Sequence, residues 1–341
     1  MKIAISIDLD NYREYGSLVG CDVGKEEMPA PTLSTNSNND SDRRCFYQDA
    51  LPRFVELFDK HDVRATFFVI GRDLDDPENR ARIRDLADRG HEIGNHSFTH
   101  PYNFSSLTRT EKIEQIDRCA DAIERATGTR PAGFRTPSLD VDGETLDLLE
   151  ERGYLYDSSI MPTPLMWAFV IYGRLFIKLG SYQLGQMAAA FAPRNPYRPG
   201  IENIYKGAGQ GHRERSIVEI PFSVLPIARL PFYSTLLRRF GGGVFEAMTR
   251  MYGRSQPVLH TLFHLIELAG FDDTPLGDAY RSMPALSVPL GSREDFVSRA
   301  TQAMVRSGVS ATLSEVAATH VPATGAKSID VTTATAEPSR S

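Results

Sequence analysis

Short apolar runs alternate with helical segments along the first half of the chain. The runs Lys2–Ile7 and Arg64–Gly71 have the composition of buried strands. Between them, the segment Tyr47–Lys60 carries its apolar residues on one helical face. This alternation predicts an α/β fold with a parallel sheet, open or closed into a barrel, because each helix returns the chain to the same end of the sheet.

The alternation of strands and helices continues along the rest of the chain. The pattern Thr108–Glu111 indicates a capping box at a helix start, and Gly153 indicates a helix end. Further strands are predicted at His91–Gly94, Gly133–Arg135, Tyr154–Tyr156, Val218–Pro221, Val258–His264 and Ser310–Leu313. Further helices are predicted at Asn79–Arg89, Thr108–Ala126, Asp142–Arg152 and Phe296–Gly308, with Pro231–Tyr252 as helix or loop.

Composition excludes some classes of function. Apolar residues make up 41% and charged residues 24%, as in a soluble globular protein. The formal net charge of -6 argues against a general nucleic-acid binder, since phosphate neutralisation needs a basic surface. The cysteines are too few and too scattered for a disulfide framework, which favours a reducing compartment: Cys21, Cys45 and Cys119.

Two apolar stretches bear on targeting and on membrane contact. The apolar part of MKIAISIDLD is five residues long and runs into aspartates, so we interpret it as a strand and expect a cytoplasmic protein. The apolar stretch Pro164–Gly180 is interrupted by Arg174 and Lys178 and is shorter than the ~20 residues of a membrane span. It is either an ordinary helix packed on the domain or an amphipathic helix on a membrane or over an apolar cleft.

The first predicted strand ends in two carboxylates. Asp8 and Asp10 point to the same face because strand side chains alternate. Parallel α/β folds place their sites at this end of their strands. Two neighbouring carboxylates repel unless a cation lies beside them. The pair is therefore either a set of turn or cap aspartates, or a metal ligand together with a free base.

A histidine pair follows the third predicted strand, in GHEIGNHSFTH. His96 and His100 are four residues apart, and on a helical turn both imidazoles would reach one point. The plain alternative is a polar loop. With Asp10 the pair would supply three ligands and leave a position open for water and substrate, as in catalytic metal sites. Imidazole and carboxylate suit Zn²⁺, and also Fe, Co or Ni.

Three later strand ends carry polar side chains. Arg135 could bind the free carboxylate and keep it ionised, or it could be a surface arginine. The stretch YDSS contains Asp157. The stretch VLHTLFHLIE contains His260 and His264, either of which could be a satisfied core histidine.

The motifs IDLD, ATFFVIG, GHEIGNHSFTH, FRTPS, YDSS and FHLIE, in this order, resemble the polysaccharide deacetylase family, the carbohydrate esterases with a NodB homology domain. The resemblance covers Lys2 to Asp157 well and continues more loosely to the last strand. It implies a distorted (β/α) barrel with about seven parallel strands. It also implies a hydrolase that uses a divalent metal, Zn²⁺ first, to remove N-acetyl groups from sugars.

The resemblance also implies residue roles. Asp8 resembles the catalytic base and Arg135 the arginine that holds it. His264 resembles the general acid and is chosen over His260 because Phe-His-x-x-Glu matches the family better. The implied metal ligands are Asp10, His96 and His100, and the implied substrate-binding residues are Asp157 and Ser138.

The chain departs from the common family motifs at two positions. The two aspartates are usually adjacent, whereas here Leu9 separates them, and the residue after Arg-x-Pro is Ser138 instead of an aromatic one. This arrangement resembles a branch with cell-wall deacetylases, deformylases of lipid-linked aminosugars, and ring-amide hydrolases. The alternatives are therefore a deformylase or ring-amide hydrolase on the same fold, and an inactive barrel used as a binding module.

The predicted organisation is a single NodB-like domain over residues 1–318. It would carry a polar insertion at 16–45 and an apolar, proline-rich insertion at 160–215, followed by a disordered tail at 322–341. The expected substrate is a carbohydrate or a lipid-linked aminosugar, with peripheral membrane contact through 164–180.

Overall fold

A computed structural model describes residues 1–11, 46–165, 187–207, 213–253, 256–270, 286 and 288–320. The predicted insertion at 16–45, nearly all of the apolar stretch 164–180 and the predicted tail at 322–341 lie outside the described residues, as do Cys21 and Cys45.

The described residues contain strands and helices in the predicted alternation. The strands are β1 (Lys2–Asp8), β2 (Thr66–Val69), β3 (Glu92–Asn95), β4 (Gly133–Phe134), β5 (Tyr156–Asp157), β6 (Val218–Glu219), β7 (Val258–His264) and β8 (Val309–Ser310). The α-helices are α1 (Phe46–His61), α2 (Pro77–Asp88), α3 (Arg109–Thr127), α4 (Gly143–Glu151), α5 (Ser234–Leu237), α6 (Gly242–Tyr252), α7 (Leu290–Ser307) and α8 (Leu313–Ala318). Among these residues, no helix is long and apolar enough to cross a membrane.

All named strand pairs are parallel, and seven strands follow one another around the sheet in the order β6-β5-β4-β3-β2-β1-β7. β8 joins the sheet beside the beginning of β1. The chain after β6 reaches the far edge, where the Ser223 amide donates to the His260 carbonyl at 3.1 Å. The sheet therefore curls toward closure, and the predicted distorted (β/α) barrel is confirmed.

Strand alternation separates the two faces of β1. Ile3, Ile5 and Ile7 belong to the core between the sheet and the helices. Ala4 points inward and packs with the barrel interior and α8, which closes the amino-terminal end of the barrel. Asp8 continues this inward row at the opposite end. The interior is thus apolar at one end and polar at the other.

Local sequence explains where the helices begin. The predicted capping box is confirmed at α3: Thr108 Oγ1 accepts from the Glu111 amide at 3.3 Å, and Glu111 Oε2 accepts from the Thr108 amide at 2.8 Å. Asp142 caps α4 by accepting from the Thr145 amide at 2.9 Å. Each cap provides partners for amide groups that the helix itself leaves unpaired.

Candidate metal centre and catalytic site

The predicted catalytic and metal-ligating side chains come from the carboxyl ends of four strands. Asp8 is the last residue of β1 and His264 the last of β7, and these two residues are in register across the sheet. Arg135 immediately follows β4, and His96 immediately follows β3. Since parallel strands end at the same edge, four stretches far apart in sequence meet around one mouth.

Asp10, His96 and His100 form a buried cluster. One ligand atom from each residue lies within 4.8 Å of those of the other two. Asp10 Oδ1 lies 3.5 Å from His96 Nε2 and 3.6 Å from His100 Nε2, which is too long for good hydrogen bonds. Two ligands of one tetrahedral zinc ion, each about 2.1 Å from it, are about 3.4 Å apart. The donor set and its spacing therefore fit a divalent ion.

The histidine pair is not on a helical turn, so this part of the prediction is wrong. The segment after β3 is a loop in which Ser97 (φ 64°) and His100 (φ 57°) adopt left-handed backbone conformations. Asn95 stabilises this shape by accepting from the Ser97 amide at 2.8 Å, and Ser97 Oγ accepts from the His100 amide at 3.1 Å. Left-handed backbone is unfavourable for residues other than glycine and is concentrated at functional sites.

The orientation of His96 is set by its second ring nitrogen. Nδ1 lies 2.8 Å from the Arg135 carbonyl oxygen, which can only accept a hydrogen bond. Nδ1 therefore carries the proton, and Nε2 presents its lone pair to the cluster. The ring of His100 packs edge-to-face on His96 at 4.9 Å and on Tyr102 at 5.5 Å.

Electrostatics give Asp10 and His100 the protonation states that a metal requires, whereas for His96 burial is outweighed by Asp8 and Asp10, which raise its pKa. Burial alone would raise the pKa of Asp10, but the neighbouring His100, His96 and His264 outweigh it and hold that pKa well below its usual range. Burial lowers the pKa of His100 to about 4. At neutral pH the cluster therefore offers an ionised carboxylate and a neutral imidazole.

Asp8 has one oxygen bound and one facing the cluster. Arg135 Nη1 donates to Asp8 Oδ1 at 2.5 Å, whereas Asp8 Oδ2 lies 3.8 Å from His96 Nε2. The guanidinium is fully buried and also donates to Ser6 Oγ at 3.0 Å, to Ser158 Oγ at 3.0 Å and to the Ser158 carbonyl at 2.8 Å. Arg135 therefore holds Asp8 in one orientation.

The two histidines of β7 occupy different environments. His264 keeps 17% of its side chain exposed at the mouth; burial lowers its pKa, but Glu267, Asp10 and Asp8 outweigh that effect and raise it. His260 is 1% exposed and lies deeper. It stacks on Phe222 at 4.9 Å, and burial, reinforced by Arg135, lowers its pKa to about 3. His264 is thus the histidine of β7 that can meet a substrate and carry a proton.

Comparison with known proteins shows which family part of the chain resembles. Residues 40–156 match the family model described as polysaccharide deacetylase. This part of the chain is similar to the polysaccharide deacetylase family. The matched range includes the histidine pair and Arg135, but neither the aspartates of β1 and its following loop nor His264.

Individual relatives cover part of the chain. A peptidoglycan deacetylase of Helicobacter pylori is 28% identical over 127 residues, which are 37% of this chain and 42% of that protein. A chitin deacetylase of Colletotrichum lindemuthianum is 31% identical over 106 residues, which are 30% of this chain and 42% of that protein. The chain thus spans about two fifths of the length of each of these relatives.

One solved structure supports the fold over nearly the whole chain. A candidate polysaccharide deacetylase from Mycobacterium smegmatis has a TM-score of 0.52 and 18% sequence identity. The similarity covers 93% of this chain and 89% of that chain.

The two predicted substrate-binding residues, Asp157 and Ser138, differ in exposure. Asp157 has no exposed surface in this structure, and its role in substrate binding stays a prediction. It accepts from Ser159 Oγ at 2.8 Å and stands in register with Glu219. Burial raises the pKa of both carboxyls, and the neighbouring Asp157 raises that of Glu219 further. Ser138 is partly exposed and left-handed (φ 55°), in the loop that follows Arg135.

Sequence reasoning missed several residues that support the candidate site. Ser6 lies two residues before Asp8 on the same face of β1, so strand alternation alone could have indicated it. Ser158 was quoted within YDSS, but nothing in that motif predicts that both its hydroxyl and its carbonyl bind Arg135. Glu267 appeared within FHLIE without a role, although its position three residues after His264 is a capping spacing.

Proposed function

We propose that this protein is a metal-dependent amide hydrolase that removes an N-acetyl group from an aminosugar. The observation that carries the proposal is the convergence of the Asp10–His96–His100 cluster with the Arg135-bound Asp8 and with His264. A metal site, a carboxylate held as a base and a protonatable histidine are the parts that hydrolysis of an unactivated amide needs.

The metal would be held by Asp10, His96 and His100. When bound, a divalent ion would supply Lewis-acid polarisation of the amide carbonyl and acidify water. Zn²⁺ is proposed first because three protein ligands with an open position are its usual catalytic arrangement. The donor set also suits Co²⁺, Ni²⁺ and Fe²⁺.

Asp8 would act as the general base. Its Oδ2 faces the cluster while Oδ1 is bound to Arg135, so the free oxygen can accept a proton from the attacking water. The hydroxyl oxygen forms a bond to the acyl carbon. His264, on the neighbouring strand, would then donate a proton to the amide nitrogen as the carbon–nitrogen bond breaks. Acetate and a free amine result.

The names of two relatives support the proposed substrate class. The two relatives described above are named for peptidoglycan and chitin, which are both built from N-acetylated aminosugars. We propose the same chemical group here, in a cytoplasmic protein with residues 1–318 as one domain. A lipid-linked aminosugar at the inner membrane face would suit the apolar stretch 164–180.

Acyl release from defined substrates tests the proposal. Metal-stripped protein is loaded with Zn²⁺, Co²⁺ or Ni²⁺ and incubated with chitin oligosaccharides, a muropeptide and a lipid-linked N-acetylaminosugar, and acetate is quantified. Metal-dependent acetate release supports the proposal. Formate release from an N-formyl sugar, or metal-independent opening of a cyclic ureide, would support one of the two alternative hydrolases instead. Oligosaccharide binding without hydrolysis under any metal would indicate the inactive barrel.

A further inference from the structure

We infer that Glu267 is a positioning residue for the proton transfer by His264. This inference rests on the proposed function and adds to it a carboxylate on the Nδ1 side of His264, the proposed general acid. Glu267 is the third residue after His264, in the 3-10 turn Leu265–Leu268 that follows β7. Its carboxylate is buried and accepts hydrogen bonds from the backbone amide of His264 and from the hydroxyl of Ser234.

The carboxylate hydrogen-bonds to the backbone of His264 and lies near its ring. Glu267 Oε1 accepts from the His264 amide at 3.2 Å and lies 3.8 Å from His264 Nδ1. The hydroxyl of Ser234 donates to the same oxygen and also contacts the Leu262 carbonyl at 2.9 Å. The side chain of Glu267 is 2% exposed, so its interaction with the imidazole is little weakened by solvent.

The turn that carries Glu267 is held from outside. Arg293, near the start of α7, donates to the Glu267 carbonyl at 2.8 Å and to the Ile266 carbonyl at 3.2 Å. Arg53 on α1 donates to the Leu268 carbonyl at 2.7 Å. Two buried or half-buried guanidinium groups therefore fix the backbone of this turn, and the carboxylate has little freedom to move away from the histidine.

The ring of His264 is constrained from a second side. Tyr233 packs edge-to-face on it, with ring centroids 5.8 Å apart and an angle of 78° between the planes. With Nδ1 next to Glu267, Nε2 is the nitrogen left for the substrate. A carboxylate near Nδ1 stabilises the doubly protonated ring, which is the form that can donate from Nε2.

The competing explanation is that Glu267 only stabilises the turn, since it accepts from the amide of His264 as a helix cap does. Glu267→Gln separates the two roles because the amide oxygen can still accept from His264 and Ser234, whereas the negative charge is lost. Glu111→Gln is the matched control: Glu111 accepts from a cap amide in the same way, at the exposed start of α3.

The experiment compares two leaving groups. We expect Glu267→Gln to lower kcat for an N-acetylaminosugar by about 10- to 100-fold, with KM within about twofold, the range seen for residues that orient catalytic groups. Hydrolysis of 4-nitrophenyl acetate should fall less than about threefold, because the phenolate leaves without a proton. Equal losses on both substrates would assign Glu267 a structural role, and an unchanged amide rate would overturn the inference.

A double variant tests whether the effect passes through His264. Adding Glu267→Gln to His264→Asn should cause no further loss of amide hydrolysis, and a further loss of tenfold or more would contradict the inference. If Glu267→Gln does not fold, Glu267→Asp withdraws the carboxylate from Nδ1 while keeping its charge. It should show the same preference for the aryl ester with a smaller loss, and equal losses on both substrates would again assign a structural role.

Imidazole ¹⁵N resonances keep this test apart from the test of the proposed function. In zinc-loaded protein without substrate, Glu267→Gln should shift the resonances of the His264 nitrogens toward those of the neutral ring, whereas Glu111→Gln should leave them unchanged. Unchanged resonances in Glu267→Gln would refute the inference. Absence of acetate release by the unmodified protein would refute the proposed function while leaving the resonance result intact.

Discussion

Asp8 and His264 stand in register at the carboxyl ends of adjacent parallel strands, β1 and β7. The proposed base and the proposed acid are thus separated by one strand spacing, although almost the whole described chain lies between them in sequence. The Asp10–His96–His100 cluster begins on the other side of Asp8, whose Oδ2 is 3.8 Å from His96 Nε2. A substrate carbonyl at this mouth would meet base, metal ligands and acid together.

Replacing Asp8 with asparagine should abolish turnover and keep the metal. The amide still fits beside Arg135 but cannot accept a proton from water, so we expect kcat to fall by about 10²- to 10⁴-fold. Zinc stoichiometry, measured by elemental analysis, should stay near that of the unmodified protein because Asp8 is not one of the three clustered ligands. Near-normal rates in Asp8→Asn would show that the base is misassigned.

Replacing His96 with alanine should remove both metal and activity. The loss leaves two of the three clustered ligands, and the other two side chains come from separate loops. His91→Gln is the matched control, since His91 is a buried histidine just before β3 whose Nδ1 accepts from the Ala65 amide at 3.0 Å, outside the cluster. Equal metal content in His96→Ala and His91→Gln would contradict the metal assignment.

Arg135 and Asp8 should be strongly coupled in stability. Removing either partner leaves the other charge buried, so Arg135→Met and Asp8→Asn should each lower the free energy of unfolding of the metal-free protein, Arg135→Met by about 3–5 kcal/mol. The double variant should lose at least about 1 kcal/mol less than the sum, because no buried charge of this pair is then left alone. Urea denaturation provides the four values, and strict additivity would argue against the pair.

His91 should contribute to acid sensitivity independently of the metal site. Burial, the largest effect, lowers its pKa from 6.5 to about 4 in the folded protein. Between these pH values the unfolded chain binds more protons at this position, so the free energy of unfolding should fall as pH falls from about 6.5 toward about 4. His91→Gln should lower stability at pH 7 and make this dependence shallower.

Thermal unfolding at several pH values measures the effect of His91. His320→Gln, near the end of the described chain, is the control. The pH dependence of stability in each variant must be compared with that of the unmodified protein, because burial also lowers the pKa of His260 and of His100. An identical pH dependence in His91→Gln and the unmodified protein would contradict the assigned cause.

Much of the fold could be predicted from local pattern. Apolar strands and capped helices are specified by neighbouring residues, so the order of the elements along the chain could be predicted. β4 and β5 differ from the prediction mainly in being only two residues long. Strand alternation also predicted that Asp8 and Asp10 share a face, and the structure brings both close to His96. The resemblance added roles to these residues, but it could not supply the distances between them.

The loop conformation and the burial of Asp157 could not be predicted in this way. The helical-turn expectation for His96 and His100 used only their spacing, whereas the loop depends on the hydrogen bonds of Asn95 and Ser97. The resemblance implied that Asp157 binds substrate, whereas in the structure β6 places Glu219 beside it and it has no exposed surface.

The alternation of strands and helices depends on interactions between near neighbours, so it could be predicted from the sequence. The sequence also showed directly which residue types stand at the strand ends. Only the tertiary structure decided that Arg135 binds Asp8, that His264 lies at the mouth while His260 is buried, and that Glu267 stands behind His264. The physical reason is that charge, burial and orientation depend on groups brought together by the curl of the sheet, and local sequence carries no measure of those separations.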